Sequence, residues 1–465
     1  MSYIRLVGTR ALFWILTFLS AILFFSPLRT GDLPGYDDAE YSLMAKTMVQ
    51  TGDWVNLRSN GYPALEHPPM LEWMEASVFK VFGISDAAAR FPAAACGFLT
   101  VLLLYWLARK MLGTPFAGVL TMFILAGTVY FLKYASHAMS DVPFTLFFLC
   151  GICAWVMAEE DPRWYLAAGV CIALVQMTRS MMGVALPAVF ALHALASKRR
   201  VPVRYAISAL MIGFGPTAWL YAHWLSLYGT YFVSVHATFL KKGAFGELTP
   251  AWRRYTGIPE YLWMIAKSYW PWLPLMIAGL VLVIRGKDRK LSLLIYWPLV
   301  IFLLCAVTHS RVLRYMLPAY PAFSILAAIG LMKFVSEQTL RRGLTILLPI
   351  LGVGVIALAI HPPVTWHATE IRPIAAAATA ATPAGERYAF HDGGLDRNDE
   401  TNQLQWYGDR YLIVLFSREE LLAQLRNPQT RVFVLDKPAY EKYIAPAMPN
   451  RILAESGHLV CVRLL

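Results

Sequence analysis

The sequence predicts an all-α polytopic membrane protein, with amphipathic helices along one membrane face and a small soluble α/β domain at the C-terminal end. Three observations lead there. Of 465 residues, 58% are hydrophobic and only 15% charged, and the mean hydropathy is +0.50, a balance typical of chains whose length goes into membrane spans. About eleven apolar segments of roughly 17 to 23 residues recur up to Ile360, each long enough for a hydrocarbon core of about 30 Å. After His361 the apolar runs give way to short β-rich runs separated by polar pieces.

The spans are expected near 11–28, 88–108, 115–132, 141–158, 164–178, 181–197, 205–225, 262–284, 291–308, 313–332 and 343–360. The first exceeds a typical signal-peptide core and lacks a small-residue cleavage pattern before Pro27, so it reads as a retained anchor. The pair 164–178 and 181–197 is short and separated only by Thr178, Arg179 and Ser180. Two spans, one long span or a re-entrant hairpin all fit. Basic residues sort the loops: Arg5 and Arg10, Arg109 and Lys110, Arg163, Lys198 to Arg204, Arg285 to Lys290, and Lys333 to Arg342 fall on one side. That side is expected to be cytoplasmic, which turns the 29–87 and 226–261 loops, and everything after His361, outward. The excess of 41 Lys+Arg over 29 Asp+Glu, a net +12, is then largely topological, and nucleic acid is not expected as a partner. Of the six cysteines only Cys461 lies outside the apolar segments, so neither a disulfide framework nor a CxxC metal pair is expected.

The 29–87 loop concentrates ionisable residues in an otherwise apolar chain. Apolar positions from Tyr41 to Val49 recur near helical spacing until Gly52. After Pro68-Pro69 a second run, Met70 to Val81, carries Glu72 and Glu75. Two helices lying along the membrane surface, or a small cap packed on the bundle, both satisfy that pattern. The 226–261 loop repeats the theme with Tyr228, His236, Lys241, Lys242 and Trp252 to Tyr255. In the tail, the runs RYAFH, RYLIVLF, RVFVLD and LVCVRLL read as strands and SREELLAQL as a helix.

Asp37 and Asp38 open the first loop helix, where acids favour the positive helix end, and either is a candidate general base or metal ligand. Asp141, in MSDVPF, opens an outward span, as a helix cap before Pro143 or as a further acid of the site. His67, in EHPP, precedes two prolines that hold the chain extended. Glu66 beside it points away, and His236 is a distant candidate to join Glu66 on a divalent metal. Arg58, Arg311, Arg314 and Tyr315 are candidates for holding a phosphate, Arg through its bidentate geometry. Arg179, between two apolar segments, requires an acid, a carbonyl or a ligand.

The succession DDAEY, GDWVNLRSNGYPALEHPPMLEW, MSDVPF, TRSMMGVALP, VHATFL and RYMLPAYP resembles the bacterial aminoarabinose transferases of lipid A and the wider protein O-mannosyltransferase-like group. The resemblance covers roughly residues 10–335 and is most specific in the first loop. It implies a GT-C fold in the bacterial inner membrane, with a cytoplasmic N-terminus and a periplasmic C-terminal domain, residues 362–465 following a transmembrane domain of 1–361. It implies an inverting glycosyltransferase that moves a sugar from a polyprenyl phosphate to an envelope acceptor on the outer side. Catalytic positions fall on Asp37, Asp38 and Asp141, donor-phosphate positions on Arg58, His67, Arg314 and Tyr315, and a divalent metal on Glu66 and His236. This sequence has His67, Arg179 and Glu40 where that family usually has lysine, lysine and arginine. No glycine-rich nucleotide-phosphate loop is present, so no nucleotide cofactor is expected. A protein O-mannosyl-type transferase shares the donor class. A transporter or flippase would instead place ionisable groups at mid-membrane on broken helices.

Overall fold

The structure, a computed structural model, describes residues 7–35, 37–241, 257–307, 312–361, 368–392 and 398–465. It is mostly helical and divides into two compact units. One comprises Met1–Arg29, Leu65–Leu71 and Arg90–Pro362; the other comprises Thr30–Ala64, Glu72–Ala89 and Pro363–Leu465.

The first unit is a helical bundle. Its opening helix, Thr9–Phe25, has a 3-10 turn at its end whose Pro27 and Leu28 carbonyls each accept a bond of 3.3 Å from the Arg90 guanidinium. A cation there suits the negative helix end. Thr114 starts the helix Pro115–Ala126 by accepting from the Ala117 N–H at 3.2 Å, with Pro115 in the first turn. Ser336 does the same for Glu337–Ile360 through the Thr339 N–H. Glycines set the closest crossings. A Cβ on Gly279 would strike the Leu326 carbonyl, and one on Gly330 the Leu275 carbonyl, so Leu273–Gly286 and Tyr320–Phe334 meet backbone to backbone.

Of the eleven expected spans, helix length and composition mark a part. Among the described residues five helices are long and apolar enough to cross a membrane, or seven if two bent pairs each count as one. The 115–132 segment breaks into Pro115–Ala126 and Val129–Ala135 with a 69° bend, and the 262–284 segment breaks within a pair bent by 115°. Asp141–Met157, Trp164–Thr178 and Leu293–Ala306 are apolar but shorter. At about 1.5 Å per residue they fall short of an untilted crossing. Residues 164–178 and 180–197 are separate helical stretches, interrupted at Arg179, whose backbone is extended (φ −151°, ψ 89°).

The second unit joins sequence-distant pieces. Helices Asp37–Thr51 and Met70–Phe82 appear where the apolar spacing places them, and between them lies a hairpin of β1 (Arg58–Ser59) and β2 (Tyr62–Pro63). The tail forms a five-stranded sheet from β3 (Tyr388–His391), β4 (Leu412–Leu415), β5 (Val432–Asp436), β6 (Asn450–Ser456) and β7 (Leu459–Leu464). Its order is β4-β3-β5-β7-β6. β3 pairs in parallel with β4 and β5, and β7 pairs antiparallel with β5 and β6. Alternation sorts its side chains. Tyr388, Phe390, Val432, Val434 and Cys461 pack on one face with Ile374 and Ala378, while Ala389, Phe433, Leu435, Val460 and Val462 pack on the other with Leu421 and Leu425. The helix Arg418–Leu425 starts with a complete capping box, Ser417 with Glu420. The β6 run, NRILAES, has no clear strand signature in sequence; pairing with β7 makes it one.

The first loop packs into this unit. Lys46 pairs with Asp409 at 3.0 Å and donates to the Trp406 carbonyl at 3.3 Å. Asn60 exchanges two bonds with the Leu412 backbone, 3.1 and 2.9 Å. Arg372 bridges Asp32 and Asp86, the latter at 2.8 Å.

Candidate active site

In the first unit, MSDVPF, TRS and RYMLP converge. Asp141 starts the helix Asp141–Met157, its side chain only 2% exposed. Arg179, at the helix break, donates from Nε to Ser140 Oγ at 2.7 Å and from Nη2 to Asp141 Oδ2 at 3.0 Å. The break frees this side chain to turn toward the acid. Arg314 reaches the same Oδ2 with Nε at 3.7 Å and faces Met139 Sδ at 3.8 Å. The Arg179 guanidinium lies 4.8 Å from the centre of the Tyr315 ring and that of Arg314 5.9 Å. These side chains, with Phe144, Met182 and Pro318, line a void of about 10 Å³. Two guanidinium groups share one carboxylate in a place with little water, where charge-assisted hydrogen bonds are strong. Arg311 lies outside the described residues.

In the second unit, Asp37, Asp38 and Glu40 occupy the first turn of Asp37–Thr51, where the helix end is positive. Asp37 is half-buried and Asp38 buried. Glu72 and Glu75, on Met70–Phe82, are fully buried as well. Burial pushes the Glu75 carboxyl well above the usual carboxylate range, and the charges of Glu72 and Asp38 add to the shift, against an opposing contribution from Ser42. Arg58 is exposed on β1, with Nη1 at 3.5 Å from the Gly61 carbonyl. Burial pushes the Asp53 carboxyl up, but hydrogen bonds from Asn56 and the Val55 N–H outweigh it and, with a smaller contribution from the Arg58 charge, hold it below its ordinary range.

Glu66 and His67 lie in the stretch assigned to the first unit. Glu66 is exposed, and His67 Nδ1 is 3.3 Å from the Pro68 carbonyl. His236 packs against Phe232 and Tyr221, ring centres 4.3 and 5.2 Å away. Its Nδ1 is 3.1 Å from the Phe232 carbonyl and its buried Nε2 has no hydrogen-bond partner among the described residues. An Nδ1–H donating to that carbonyl leaves a lone pair on Nε2, the atom a metal would take. Among the described residues, however, no group of three or more His, Cys, Asp or Glu side chains gathers around a common point. Two donors fall short of the three or four protein ligands of a zinc site.

One part of this arrangement had no sequence signal, the Ser140 hydroxyl that seats Arg179; Glu72 and Glu75 stood out as acids of the first loop, but their full burial did not. The arginine's need for a partner was visible from its apolar flanks, but the identity of that partner was not.

Residues 66–224 match the family model of dolichyl-phosphate-mannose-protein mannosyltransferases. An uncharacterized protein of Aquifex aeolicus is 27% identical over 351 residues, which are 73% of this chain and 68% of that protein. The undecaprenyl phosphate-alpha-4-amino-4-deoxy-L-arabinose arabinosyl transferase of Edwardsiella ictaluri is 24% identical over 356 residues, 70% of this chain and 61% of the enzyme. The chain thus spans between three fifths and about two thirds of the length of these relatives. Among solved structures, ArnT from Cupriavidus metallidurans bound to undecaprenyl phosphate superposes with a TM-score of 0.75 over 97% of both chains, at 16% identity. The Archaeoglobus fulgidus oligosaccharyltransferase gives 0.56 over 91% of this chain and 68% of that one, at 11% identity. The chain has the GT-C fold, and its sequence is similar to the aminoarabinose transferases and, over residues 66–224, to the dolichyl-phosphate-mannose-protein mannosyltransferase model.

Proposed function

We propose that the chain is an integral-membrane inverting glycosyltransferase that moves a sugar from a polyprenyl-phosphate carrier to an envelope acceptor, a lipid A-like glycolipid, on the extracytoplasmic side. The observation that carries this reading is the pair Arg179 and Arg314, both held on the buried Asp141 carboxylate. Arginine presents a planar fork to phosphate, and a second shared anion fixes the fork before the ligand arrives. The names and ligand of the relatives supply the donor class: an arabinosyl transferase acting from undecaprenyl phosphate and a fold neighbour bound to that lipid.

In this reading the acceptor hydroxyl attacks the anomeric carbon from the face opposite the phosphate. Its proton passes to the Asp37 carboxylate. The bond from the anomeric carbon to the phosphate oxygen breaks, its electron pair stays on the phosphate, and Arg179 and Arg314 stabilise the charge that develops there. Tyr315 supports the guanidinium groups through its ring. Asp141 serves as a positioning residue: its carboxylate is already engaged by both guanidinium groups. His67 and Arg58 are assigned to the donor side by their place in the first loop.

The test is transfer from undecaprenyl-phosphate-linked sugar to a purified glycolipid acceptor by the full-length protein in lipid nanodiscs, read by mass spectrometry. Asp37→Asn should lower turnover by about 10²- to 10⁴-fold, the usual worth of a general base, with donor binding retained. Asp141→Asn should weaken donor binding as well. Near-normal turnover of Asp37→Asn would overturn the assignment of the base. A second reading, transfer to protein, is favoured by the family-model match over residues 66–224. Label appearing on envelope protein and absent from glycolipid would select it.

A further inference from the structure

The tail sheet carries a cleft that the transfer reaction does not use. It has a volume of about 740 Å³ and is lined by Arg387, Arg431 and Arg463, with Glu386, Gln429 and Thr430 among its other walls. Three guanidinium groups face one carboxylate. Arg431 and Arg463 are exposed, and neither makes an ion pair among the described residues. In the ladder, Arg463 of β7 stands directly across from Arg451 of β6. Directly opposed like charges destabilise a sheet, so the fold maintains a cost that folding alone does not repay. Arg387 is held differently. Its guanidinium lies 5.3 Å from the Tyr62 ring centre and 5.5 Å from that of Tyr411. It is pre-positioned, so little side-chain entropy is lost when it binds a ligand.

We propose that this cleft is a binding site for a phosphoryl anion, a phosphate ester or a phosphorylated lipid headgroup, separate from the sugar-transfer chemistry. Three arginines suit phosphate oxygens through paired N–H donors. The Gln429 amide and the cleft volume suit a group larger than one inorganic phosphate. The hairpin that bears Arg58 packs on Arg387 through Tyr62, whose hydroxyl is 3.4 Å from Arg387 Nη1, so an occupied cleft would brace the first loop.

Calorimetric titration of the full-length protein in neutral detergent tests this with three probes: inorganic pyrophosphate, dihexanoylphosphatidylglycerol, and dihexanoylphosphatidylcholine as the zwitterionic control. Saturable binding of an anionic probe that weakens at least tenfold in Arg431→Ser/Arg463→Ser, and declines with added salt, is the expected result. Preference for the phosphatidylglycerol over pyrophosphate would identify a lipid headgroup; the reverse would identify a free phosphate ester. Absence of saturable anion binding would overturn the proposal. So would equal affinity in the double variant, provided its ligand-free melting curve matches the wild type. Should that variant fail to fold, Arg431→Lys/Arg463→Lys keeps the charge, loses the paired donors, and must still bind more weakly. Because the readout is binding, the outcome is independent of whether the sugar-transfer reading holds.

Discussion

Glu75 is an acid whose surroundings push its carboxyl well above the usual carboxylate range, and this gives stability a pH dependence. Its folded-state carboxyl titrates well above the ordinary value because of burial and the neighbouring Glu72 and Asp38 charges. The sign follows from linkage. Below the ordinary carboxylate pKa both folded and unfolded chains hold the proton and the residue has no cost. As pH rises above that value the unfolded chain releases the proton and gains stability relative to the folded one, until the folded group also ionises. Glu75→Gln should therefore raise the melting temperature near neutral pH and leave it unchanged near pH 4, flattening the decline between. A variant equally or less stable at pH 7 would contradict the upward shift. At this scale the sequence was partly legible. Asp141 and Arg179 stood out as charges beside apolar runs, but they are 38 residues apart and nothing local announces that they meet. Arg58, a candidate phosphate ligand by sequence, lies exposed on a hairpin, a placement no local pattern announces.

The helices show how far periodicity carries and where it stops. Apolar run length located most of them, and the two first-loop helices appear close to their expected bounds. Hydropathy does not register a bend: a run of apolar residues looks the same whether its axis is straight or turns by 69°. The glycine crossing is the element-scale feature most open to test. At Gly279 the intruding Cβ would meet a backbone carbonyl, which cannot rotate away as a side chain can. Gly279→Val should separate Leu273–Gly286 from Tyr320–Phe334 and destabilise by at least about 1–3 kcal/mol, the range for overpacking. Gly286→Ala, where no atom lies near the added carbon, is the matched control. Monodispersity after mild heating would report the difference, and equal survival of the two variants would rule out a tight crossing.

At the scale of the whole molecule, most of the first loop and the tail make one compact unit, although nearly 300 residues separate them in sequence. Leu43, Met44 and Met48 are buried on the helix Asp37–Thr51, and its Lys46 is tied to Asp409 and Trp406. A chain ending at Ile360 should consequently lose transfer activity and aggregate, even though Asp37 and every residue of the Asp141 cluster remain. Co-expressed tail that restores solubility would support the shared core; a soluble, active truncated enzyme would refute it.

By itself the sequence determined the class of the protein, the stretches that become helices, the strand-forming runs of the tail and the loop in which ionisable residues collect. These are consequences of composition and of local period, and each is written within a dozen or so residues. Only the tertiary structure decided that Arg179 and Arg314 share Asp141, that apolar runs bend, that the first loop folds with the tail and that three arginines open on one cleft. Those are contacts between segments far apart in the chain, set by which buried surfaces fit one another, and no local pattern encodes that fit.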